Sequence, residues 1–126
     1  MLETKSKICI VEDDIDLLEV LVKKFEIEKF TVLQAVDGKA GLELALKKHP
    51  DLILLDIIMP VMDGMTMLRN LRVDVWGKNV PIILLTNLSD ESKIAEAIQH
   101  GVYDYLVKSD WTIGDVVAKV RQRLQK

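Results

Sequence analysis

Three short stretches of the chain carry apolar residues with little alternation: "KICIV" at residues 7–11, "DLILL" at 51–55 and "VPIILL" at 80–85. A strand with one face in water alternates apolar and polar residues, whereas a strand covered on both faces reads as a nearly continuous apolar run. Doubly covered strands belong to parallel sheets that carry helices on both sides. The three runs therefore predict an α/β fold with a central sheet.

The segments around these runs complete an alternation of strands and helices. Further strands are predicted at "FTVLQAV" (residues 30–36) and "YDYLV" (103–107). Apolar residues recur at helical spacing after each strand: Leu18, Leu21, Val22 and Phe25; Leu42, Ala45 and Leu46; Met67, Leu68, Leu71 and Val75; Ile94, Ala97 and Ile98; Ile113, Val116, Val117, Val120 and Leu124. With right-handed crossovers, this order predicts a doubly wound three-layer sandwich with a five-stranded parallel sheet and five helices. The 126 residues are predicted to form a single domain, 1–126.

Composition narrows the class of protein. The formal net charge of −3 gives no reason to expect direct binding to nucleic acid or to an anionic membrane. The single cysteine, Cys9, lies in an apolar strand, is predicted to be a core residue and fits a reducing compartment. The N-terminal "MLETKSK" lacks the apolar stretch of a signal peptide, and no run reaches transmembrane length. A soluble cytoplasmic protein is expected.

Polar side chains follow the predicted strands. In an open parallel sheet, ligands bind outside the carboxyl ends of the strands. The residues at these ends are Glu12, Asp13 and Asp14 after strand one, Asp56 after strand three, Thr86 and Asn87 after strand four, and Lys108 after strand five. If these strands are neighbours, the acids, a hydroxyl group and an amine meet in one shallow pocket.

The charges in such a pocket require compensation. Two carboxylates about 4 Å apart repel each other by roughly 4 kcal/mol at an effective dielectric constant near 20. One lysine cannot balance several acids, but a hard divalent cation, Mg²⁺ or Mn²⁺, can. The two histidines, His49 and His100, fall near predicted helix C-termini, away from this edge. The set indicates that Asp56 is a nucleophile toward a phosphoryl donor, with Lys108 and Thr86 contacting the phosphoryl oxygens.

Four segments resemble, in order and spacing, the receiver domain of two-component response regulators: "IVEDD", "LLDIIMPVMDG", "ILLTN" and "YLVK". The resemblance covers essentially the whole chain and implies a flavodoxin-like strand order, 2-1-3-4-5. It implies a phosphoacceptor signalling domain that catalyses its own phosphorylation and dephosphorylation but is not an enzyme with turnover. The implied donor is a sensor histidine kinase or a histidine phosphotransfer domain. The implied output is a downstream protein target or effector domain that reads the surface of helix four, strand five and helix five.

The resemblance also implies a role for each matched residue. Asp56 is the phosphoacceptor; Glu12 and Asp13, with Asp56 and the backbone carbonyl of Ile58, are the Mg²⁺ ligands; Thr86 is the switch hydroxyl; Lys108 contacts the phosphate; and Tyr105 is the aromatic whose position reports the phosphorylated state.

The chain departs from the family pattern at two positions. Ser109 stands where a proline, often with a cis bond, usually follows the lysine, so either the loop differs or it holds a costly cis bond before a non-proline residue. The segment "KSDWT" could then form an unusual partner surface with Trp111 as an anchor. Asn87 stands where a smaller residue is common and, with Ile58 and Leu88, could change the phosphoryl lifetime.

Simpler structural interpretations and rival functions remain open. Asp14 is better explained as a helix N-cap, and Tyr105 is equally well explained as a half-buried strand residue. A phosphatase of the haloacid dehalogenase type needs a second aspartate where this chain has Ile58. A flavin mononucleotide module needs a small, polar phosphate-binding loop, and "EDDID" is acidic. A degenerate receiver that only binds partners is the third alternative.

Overall fold

The computed structural model describes residues 6–86, 91–102 and 104–125, and within helix α4 the side chain of residue 91 is not described. The strands are β1 (Lys7–Val11), β2 (Thr31–Ala35), β3 (Leu52–Asp56), β4 (Ile82–Thr86) and β5 (Asp104–Val107). The helices are α1 (Ile15–Ile27), α2 (Gly38–Lys48), α3 (Gly64–Arg72), α4 (Glu91–Gln99) and α5 (Ile113–Gln125). The predicted alternation of strands and helices is confirmed.

The five strands form one parallel sheet in the order β2-β1-β3-β4-β5. This order confirms the flavodoxin-like topology that the family resemblance implies. One boundary prediction is wrong: α3 ends at Arg72, and Val75 lies in the turn that follows, where its side chain is exposed rather than part of a helical apolar face. Residues 73–79 form turns and bends instead, in which the N–H of Asp74 donates to the Leu71 carbonyl at 3.0 Å and the N–H of Gly77 donates to the Asp74 carboxylate at 2.8 Å.

The continuous apolar runs supply two cores, one on each face of the sheet. Successive residues of a strand point to opposite faces, so Leu54 and Leu55 belong to different cores. The core on the α1 and α5 side includes Leu54, Phe25 and Val116, whereas Leu55 and Leu71 lie on the side of α2, α3 and α4. Both cores are built from the runs that the sequence marks as doubly covered strands.

Cys9 is fully buried in the core on the α2, α3 and α4 side. Burial raises the pKa of its thiol to about 12, because the thiolate would lose its hydration there. The residue therefore stays protonated and packs as a small apolar side chain, as predicted.

In the described part of the chain, side chains cap the N-termini of α1, α2, α3 and α5. Asp14, Asp37 and Asp63 each accept a hydrogen bond from the backbone N–H three residues later, at 3.2, 2.8 and 2.8 Å. Thr112 and Asp115 form the reciprocal bonds of a capping box at the start of α5. The interpretation of Asp14 as an N-cap is therefore confirmed. None of the helices in the described ranges combines the length and the apolar character that crossing a membrane requires.

Candidate functional site

The carboxyl edge of the sheet gathers the polar side chains that the sequence places at the strand ends. Asp56 and Thr86 are the last residues of the neighbouring strands β3 and β4. Glu12 directly follows β1, and Lys108 directly follows β5. Glu12, Thr86 and Asp56 (4% exposed) are buried, whereas Asp13 is exposed. We call these five residues the strand-end site.

The Lys108 amine lies between two buried carboxylates. Its Nζ is 2.7 Å from Glu12 Oε1 and 3.4 Å from Asp56 Oδ1. The other oxygen of Glu12 accepts a hydrogen bond from the backbone N–H of Asp14 at 3.0 Å, which fixes the Glu12 side chain. Burial alone would lower the pKa of Lys108, but the two carboxylates outweigh burial and raise the pKa above its ordinary value. The ammonium form of Lys108 is therefore held in the site.

The pKa of Asp56 lies well above the ordinary value of an aspartate. Burial raises its pKa, the negative charge of Glu12 raises it further, and the positive charge of Lys108 opposes both. The balance places the pKa of Asp56 near 7, because one ammonium group cannot compensate two buried carboxylates. Additional positive charge next to Asp56 would favour its carboxylate form.

Three carboxylates of the site form a cluster suited to a cation. Glu12, Asp13 and Asp56 each offer one oxygen, and these oxygens lie within 4.8 Å of one another. An all-oxygen set with excess negative charge fits a hard dication such as Mg²⁺ or Mn²⁺. Ile58 lies two residues after Asp56 with its side chain 67% exposed. The assignment of its backbone carbonyl as a further ligand stays a prediction.

The β3–α3 connection positions Asp56 through a close approach of backbone at Gly64. The N–H of Gly64 donates to the Ile57 carbonyl at 2.7 Å. A Cβ atom at this residue would lie 2.1 Å from the Asp56 carbonyl oxygen and 2.9 Å from the Ile57 Cα. Only glycine fits here without displacing the backbone of Asp56. In the sequence, Asp63-Gly64 indicates the start of a helix, but no local pattern indicates this contact of Gly64 with the Asp56 backbone.

The same connection contains an unusual turn at Val61. The Val61 φ angle is +68°, and the N–H of Met62 donates to the Pro60 carbonyl at 2.7 Å across it. The Met62 carbonyl then accepts from the N–H of Gly38 at 2.9 Å, at the start of α2. A Cβ atom on Gly38 would lie 2.2 Å from that carbonyl oxygen. Two Asp-Gly pairs, visible in the sequence, therefore lock the connection that follows Asp56.

The two predicted switch residues occupy different environments. Thr86 is buried at the end of β4 and pairs in register with Val107 of β5. Tyr105 lies two residues earlier in β5, with 44% of its side chain exposed. Its role as a switch stays a prediction. Asn87 and Leu88, which we expected to influence the phosphoryl lifetime, lie outside the described residues.

The segment after Lys108 differs in its loop conformation and does not hold a cis bond before Ser109. Lys108–Asp110 forms a short 3-10 helix, and the described chain contains no cis peptide bond, so the loop differs from a proline-containing one. Trp111 packs against the core on the α1 and α5 side. Its indole nitrogen is buried and finds no hydrogen-bond partner among the described residues. This packing favours a structural role for Trp111 over the role of a surface anchor.

The chain is similar to known response regulators and receiver domains. A family model for the response regulator receiver domain matches residues 8–121. The transcriptional regulatory protein PrrA of Mycobacterium bovis is 34% identical over 123 residues, which are 98% of this chain and 52% of that protein. The DNA-binding dual master transcriptional regulator RpaA of Synechocystis is 33% identical over 120 residues, 95% of this chain and 49% of that protein. The chain thus spans about half the length of these curated relatives.

Solved structures agree with the family match. The BeF3-activated receiver domain of Klebsiella pneumoniae RstA superposes with a TM-score of 0.84 at 30% identity, covering 96% of this chain and all of that one. A CheY-like receiver domain protein from Methanospirillum hungatei has a TM-score of 0.88 at 24% identity, covering 96% and 94% of the two chains, and shares the fold. With the family match over residues 8–121, these findings show that the chain belongs to the response regulator receiver domain family.

Proposed function

We propose that this receiver domain accepts a phosphoryl group on Asp56 in a Mg²⁺-dependent step of a two-component phosphorelay. The observation that supports the proposal most strongly is the strand-end site itself. A buried aspartate lies 3.4 Å from a lysine amine and shares a cluster with two further acids. A structural cap or a surface ion pair would not require this concentration of buried charge. Receiver domains are signalling modules rather than enzymes with turnover.

The proposed chemistry is the transfer of a phosphoryl group from a phosphohistidine. A carboxylate oxygen of Asp56 attacks phosphorus, the P–N bond to the histidine breaks, and the imidazole nitrogen keeps the electron pair and takes up a proton. Lys108 lies within reach of the new phosphoryl group and pairs with one of its oxygens, while the Thr86 hydroxyl donates to another. Mg²⁺ bound by Glu12, Asp13, Asp56 and the carbonyl of Ile58 would supply positive charge to the phosphoryl oxygens.

The proposed partners follow from the family. The donor is a sensor histidine kinase or a histidine phosphotransfer domain. We infer that Thr86 and Tyr105 couple phosphorylation to the surface formed by α4, β5 and α5, which a downstream protein or effector domain then reads. Two relatives of about twice this length are named as transcriptional regulators, and the RstA receiver domain is described as BeF3-activated. We propose that residues 1–126 form a single receiver domain. The likenesses support an output through an effector rather than through direct contact between this domain and nucleic acid.

The rival functions lack residues that they need. An aspartyl-phosphate phosphatase requires an acid at position 58, and the exposed Ile58 cannot protonate a leaving group. A flavin phosphate site requires backbone N–H donors after β1, but the segment there is acidic. A degenerate receiver would lack one of the five site residues, and all five are present.

The direct test is intact mass spectrometry after incubation with acetyl phosphate or phosphoramidate, with and without Mg²⁺. The parent protein should gain one phosphoryl group when Mg²⁺ is present. Asp56→Asn should abolish the gain, and Asp13→Ala should slow it. Asp16→Asn, which changes an exposed acid of α1, is the matched control and should react like the parent. Equal labelling of Asp56→Asn and the parent would refute the assignment.

Metal binding is tested separately by thermal unfolding during a Mg²⁺ or Mn²⁺ titration. A ligand that binds only the folded state raises the melting temperature as its concentration passes the dissociation constant. Asp13→Ala should need a higher concentration for the same rise, because it removes one of the clustered oxygens. A melting temperature that does not change with the concentration of Mg²⁺ or Mn²⁺ would contradict the magnesium part of the proposal.

A further inference from the structure

The Lys108 ammonium group lies beside the carboxylates that could hold a metal ion. Its Nζ is 2.7 Å from Glu12 Oε1 and 3.4 Å from Asp56 Oδ1. Glu12 and Asp56 also belong to the cluster of three acids whose oxygens lie within 4.8 Å of one another. Lys108 and a dication bound in this cluster would therefore be attracted to the same two carboxylates.

Glu12 is the carboxylate that Lys108 approaches most closely. The Glu12 side chain is fully buried, and its Oε2 accepts a hydrogen bond from the N–H of Asp14 at 3.0 Å. Its Oε1 is buried as well, but the contact of Oε1 with Lys108 is an ion pair without the alignment of a hydrogen bond, and no other donor of the described chain bonds to it. A buried carboxylate oxygen without a hydrogen-bond donor keeps lone pairs that a hard cation can use. Lys108 is the group that stands next to this oxygen.

The charges of the site determine how the two cations affect each other. Three ionised carboxylates and one ammonium group leave two negative charges, which one dication balances. The metal and the ammonium group can therefore occupy the site together. They repel each other nevertheless, because like charges a few ångströms apart interact strongly where water is excluded. Each cation thus weakens the binding of the other, and such a coupling is reciprocal.

Lys108 has a second partner within reach, so it can leave Glu12 without leaving the site. Its side chain is 14% exposed and ends 3.4 Å from Asp56 Oδ1. The four-carbon stem of a lysine allows small movements of the ammonium group. A short shift would turn the longer contact with Asp56 into a close ion pair. The proposed phosphoryl group would add negative charge at the same place.

We propose that Lys108 competes with the metal for Glu12: it lowers the affinity of the strand-end site for a dication, and metal binding moves its ammonium group from Glu12 toward Asp56. This inference rests on the metal part of the proposed function. A lysine displaced from Glu12 lies where the phosphoryl group would form, so metal binding also positions Lys108 for phosphoryl transfer. By reciprocity, a phosphoryl group that attracts Lys108 away from Glu12 strengthens metal binding.

The first test measures Mn²⁺ affinity by electron paramagnetic resonance, in which the signal reports the free ion, with no phosphodonor present. Lys108→Met removes the charge and keeps an unbranched side chain. It should lower the Kd for Mn²⁺ by about tenfold or more, because the repulsion between the two cations is lost. Lys108→Arg keeps the charge and should show no such gain. An unchanged Kd in Lys108→Met, or an equal gain in Lys108→Arg, would overturn the proposal.

A control separates the local effect from a change in net charge. Lys23→Met removes an exposed lysine of α1 and changes the net charge of the chain by the same amount as Lys108→Met. It should bind Mn²⁺ like the parent, because exposed charges far from the site are screened by salt. A gain in Lys23→Met equal to that in Lys108→Met would refute a specific role of Lys108.

A double-mutant cycle tests whether Glu12 is the carboxylate for which the cations compete. Glu12→Gln removes the charge and keeps the shape of the side chain. In the Glu12→Gln background, Lys108→Met should improve the Kd for Mn²⁺ by a smaller factor than in the parent, because the ion pair that the metal must break is already absent. General repulsion between the cations would give the same factor in both backgrounds, and that result would refute competition for Glu12.

The parent protein provides a test that does not depend on the folding of a variant. In protein labelled with ¹⁵N at the lysine Nζ atoms, the signal of Lys108 is assigned by its absence from Lys108→Arg. Mg²⁺ should shift this signal as the contact with Glu12 is lost. The amide signal of Asp14, whose N–H donates to Glu12, should shift over the same range of Mg²⁺ concentration. A site saturated with Mg²⁺ while both signals stay unchanged would overturn the proposed movement of Lys108.

These outcomes distinguish the inference from the proposed function. A parent protein that binds neither Mn²⁺ nor Mg²⁺ contradicts the magnesium part of the proposed function, and this inference with it. A parent protein that binds metal while Lys108→Met gains no affinity contradicts this inference alone. The gain of a phosphoryl group on Asp56 stays a separate result, because the metal-binding experiments contain no phosphodonor.

Discussion

At the scale of single residues, the strand-end site is a compromise between burial and charge. Asp56 and Glu12 are both buried, and Lys108 is the one cation that the described structure places in contact with them. Lys108 lies closer to Glu12 than to Asp56, by 2.7 against 3.4 Å. The pKa of Asp56 rises mainly because burial removes water from its carboxylate, and the nearby charge of Glu12 adds to this effect more than Lys108 offsets it.

Asp56 should make the metal-free protein less stable as the pH rises. Its pKa is about 7 in the folded state and about 4 in the unfolded state, so ionisation between these values favours unfolding. Asp56→Asn lacks this ionisation. In EDTA, the variant should exceed the parent in free energy of unfolding by about 1–2 kcal/mol near pH 8, after allowance for solvent screening.

Urea unfolding measured across this pH range checks that prediction. The difference between Asp56→Asn and the parent should shrink as the pH falls from about 7 and level off below about pH 4, where the parent carboxyl is protonated in both states. Asp16→Asn, at an exposed position, should not reproduce the profile. A parent that is more stable than Asp56→Asn at high pH in EDTA would contradict the origin of the pKa shift.

Val61 carries backbone strain that substitution should relieve. A β-branched residue at a φ of +68° is sterically disfavoured, and asparagine tolerates this region better. Val61→Asn should raise the free energy of unfolding by about 1 kcal/mol. Val75→Asn is the control, because Val75 is exposed and its φ is not positive. A gain of the same size in both variants would argue against relief of strain.

At the scale of secondary-structure elements, backbone contacts of two glycines with the β3–α3 connection determine where α2 and α3 begin. The start of α3 touches the backbone of Asp56 through Gly64, and the start of α2 touches the Met62 carbonyl through Gly38. Each helix is placed by a glycine where a side chain would collide with backbone. The distance of α3 from the end of β3 is therefore set by Gly64.

Gly64→Ala should be strongly destabilising, because the added carbon would lie 2.1 Å from the Asp56 carbonyl oxygen. We expect a loss of about 2–3 kcal/mol in urea unfolding, and slower phosphorylation because Asp56 is displaced. Gly114→Ala is the matched control, since its added carbon finds no atom closer than 3.7 Å. The control should gain about 0.5 kcal/mol from better helix propensity in α5. Similar losses in both variants would contradict the assigned role of Gly64.

The end of α3 is joined to the end of α4 by Arg72. Its guanidinium donates to the carbonyls of His100, Gly77 and Val80 at 2.7, 2.7 and 2.9 Å. Arg72→Lys keeps the charge but loses the fork of donors, and should cost about 2 kcal/mol. Hydrogen exchange should rise in residues 77–80 and at the end of α4. Arg69→Lys, in an exposed pair with Glu96, should leave both measurements nearly unchanged.

At the scale of the whole molecule, two cores share one sheet and should unfold together. Trp76 packs against the core on the α2, α3 and α4 side, and Trp111 against the core on the α1 and α5 side. The chain contains no other tryptophan, so Trp76→Phe and Trp111→Phe each leave one reporter. Fluorescence and circular dichroism should give the same urea midpoint within each variant, as expected for two-state unfolding. Separate midpoints would show that the two layers unfold independently.

Local sequence patterns were sufficient to predict a five-stranded parallel sheet and the residues at its strand ends, whereas the strand order that brings those ends together was implied only by the family resemblance. The apolar runs mark doubly covered strands, and parallel strands place Asp56, Thr86 and Lys108 at one edge whatever the details of the loops. The Asp-Gly pairs and the capping box are also visible in sequence. These features depend only on the spacing of residues along the chain, so they can be predicted from the sequence.

Features that depend on contacts between distant connections could not be predicted. Val61 has a positive φ next to Met62, whose carbonyl accepts a hydrogen bond from Gly38 in another connection, and a valine by itself disfavours such a φ. The stacking of His49 on Trp76 joins residues from connections separated by all of β3 and α3. The preference of Lys108 for Glu12 over Asp56 depends on side-chain geometry within the site. No local pattern encodes any of these contacts.

The hydrogen bond from Arg72 to the His100 carbonyl also limits how the molecule can change shape. It ties down the C-terminal end of α4, the end of that helix farthest from Thr86 along the chain. A helix anchored at one end moves most at the other. Any tilt of α4 that keeps this hydrogen bond therefore has its pivot near His100 and its largest displacement near residue 91, at the end of the helix that comes first after Thr86 along the chain.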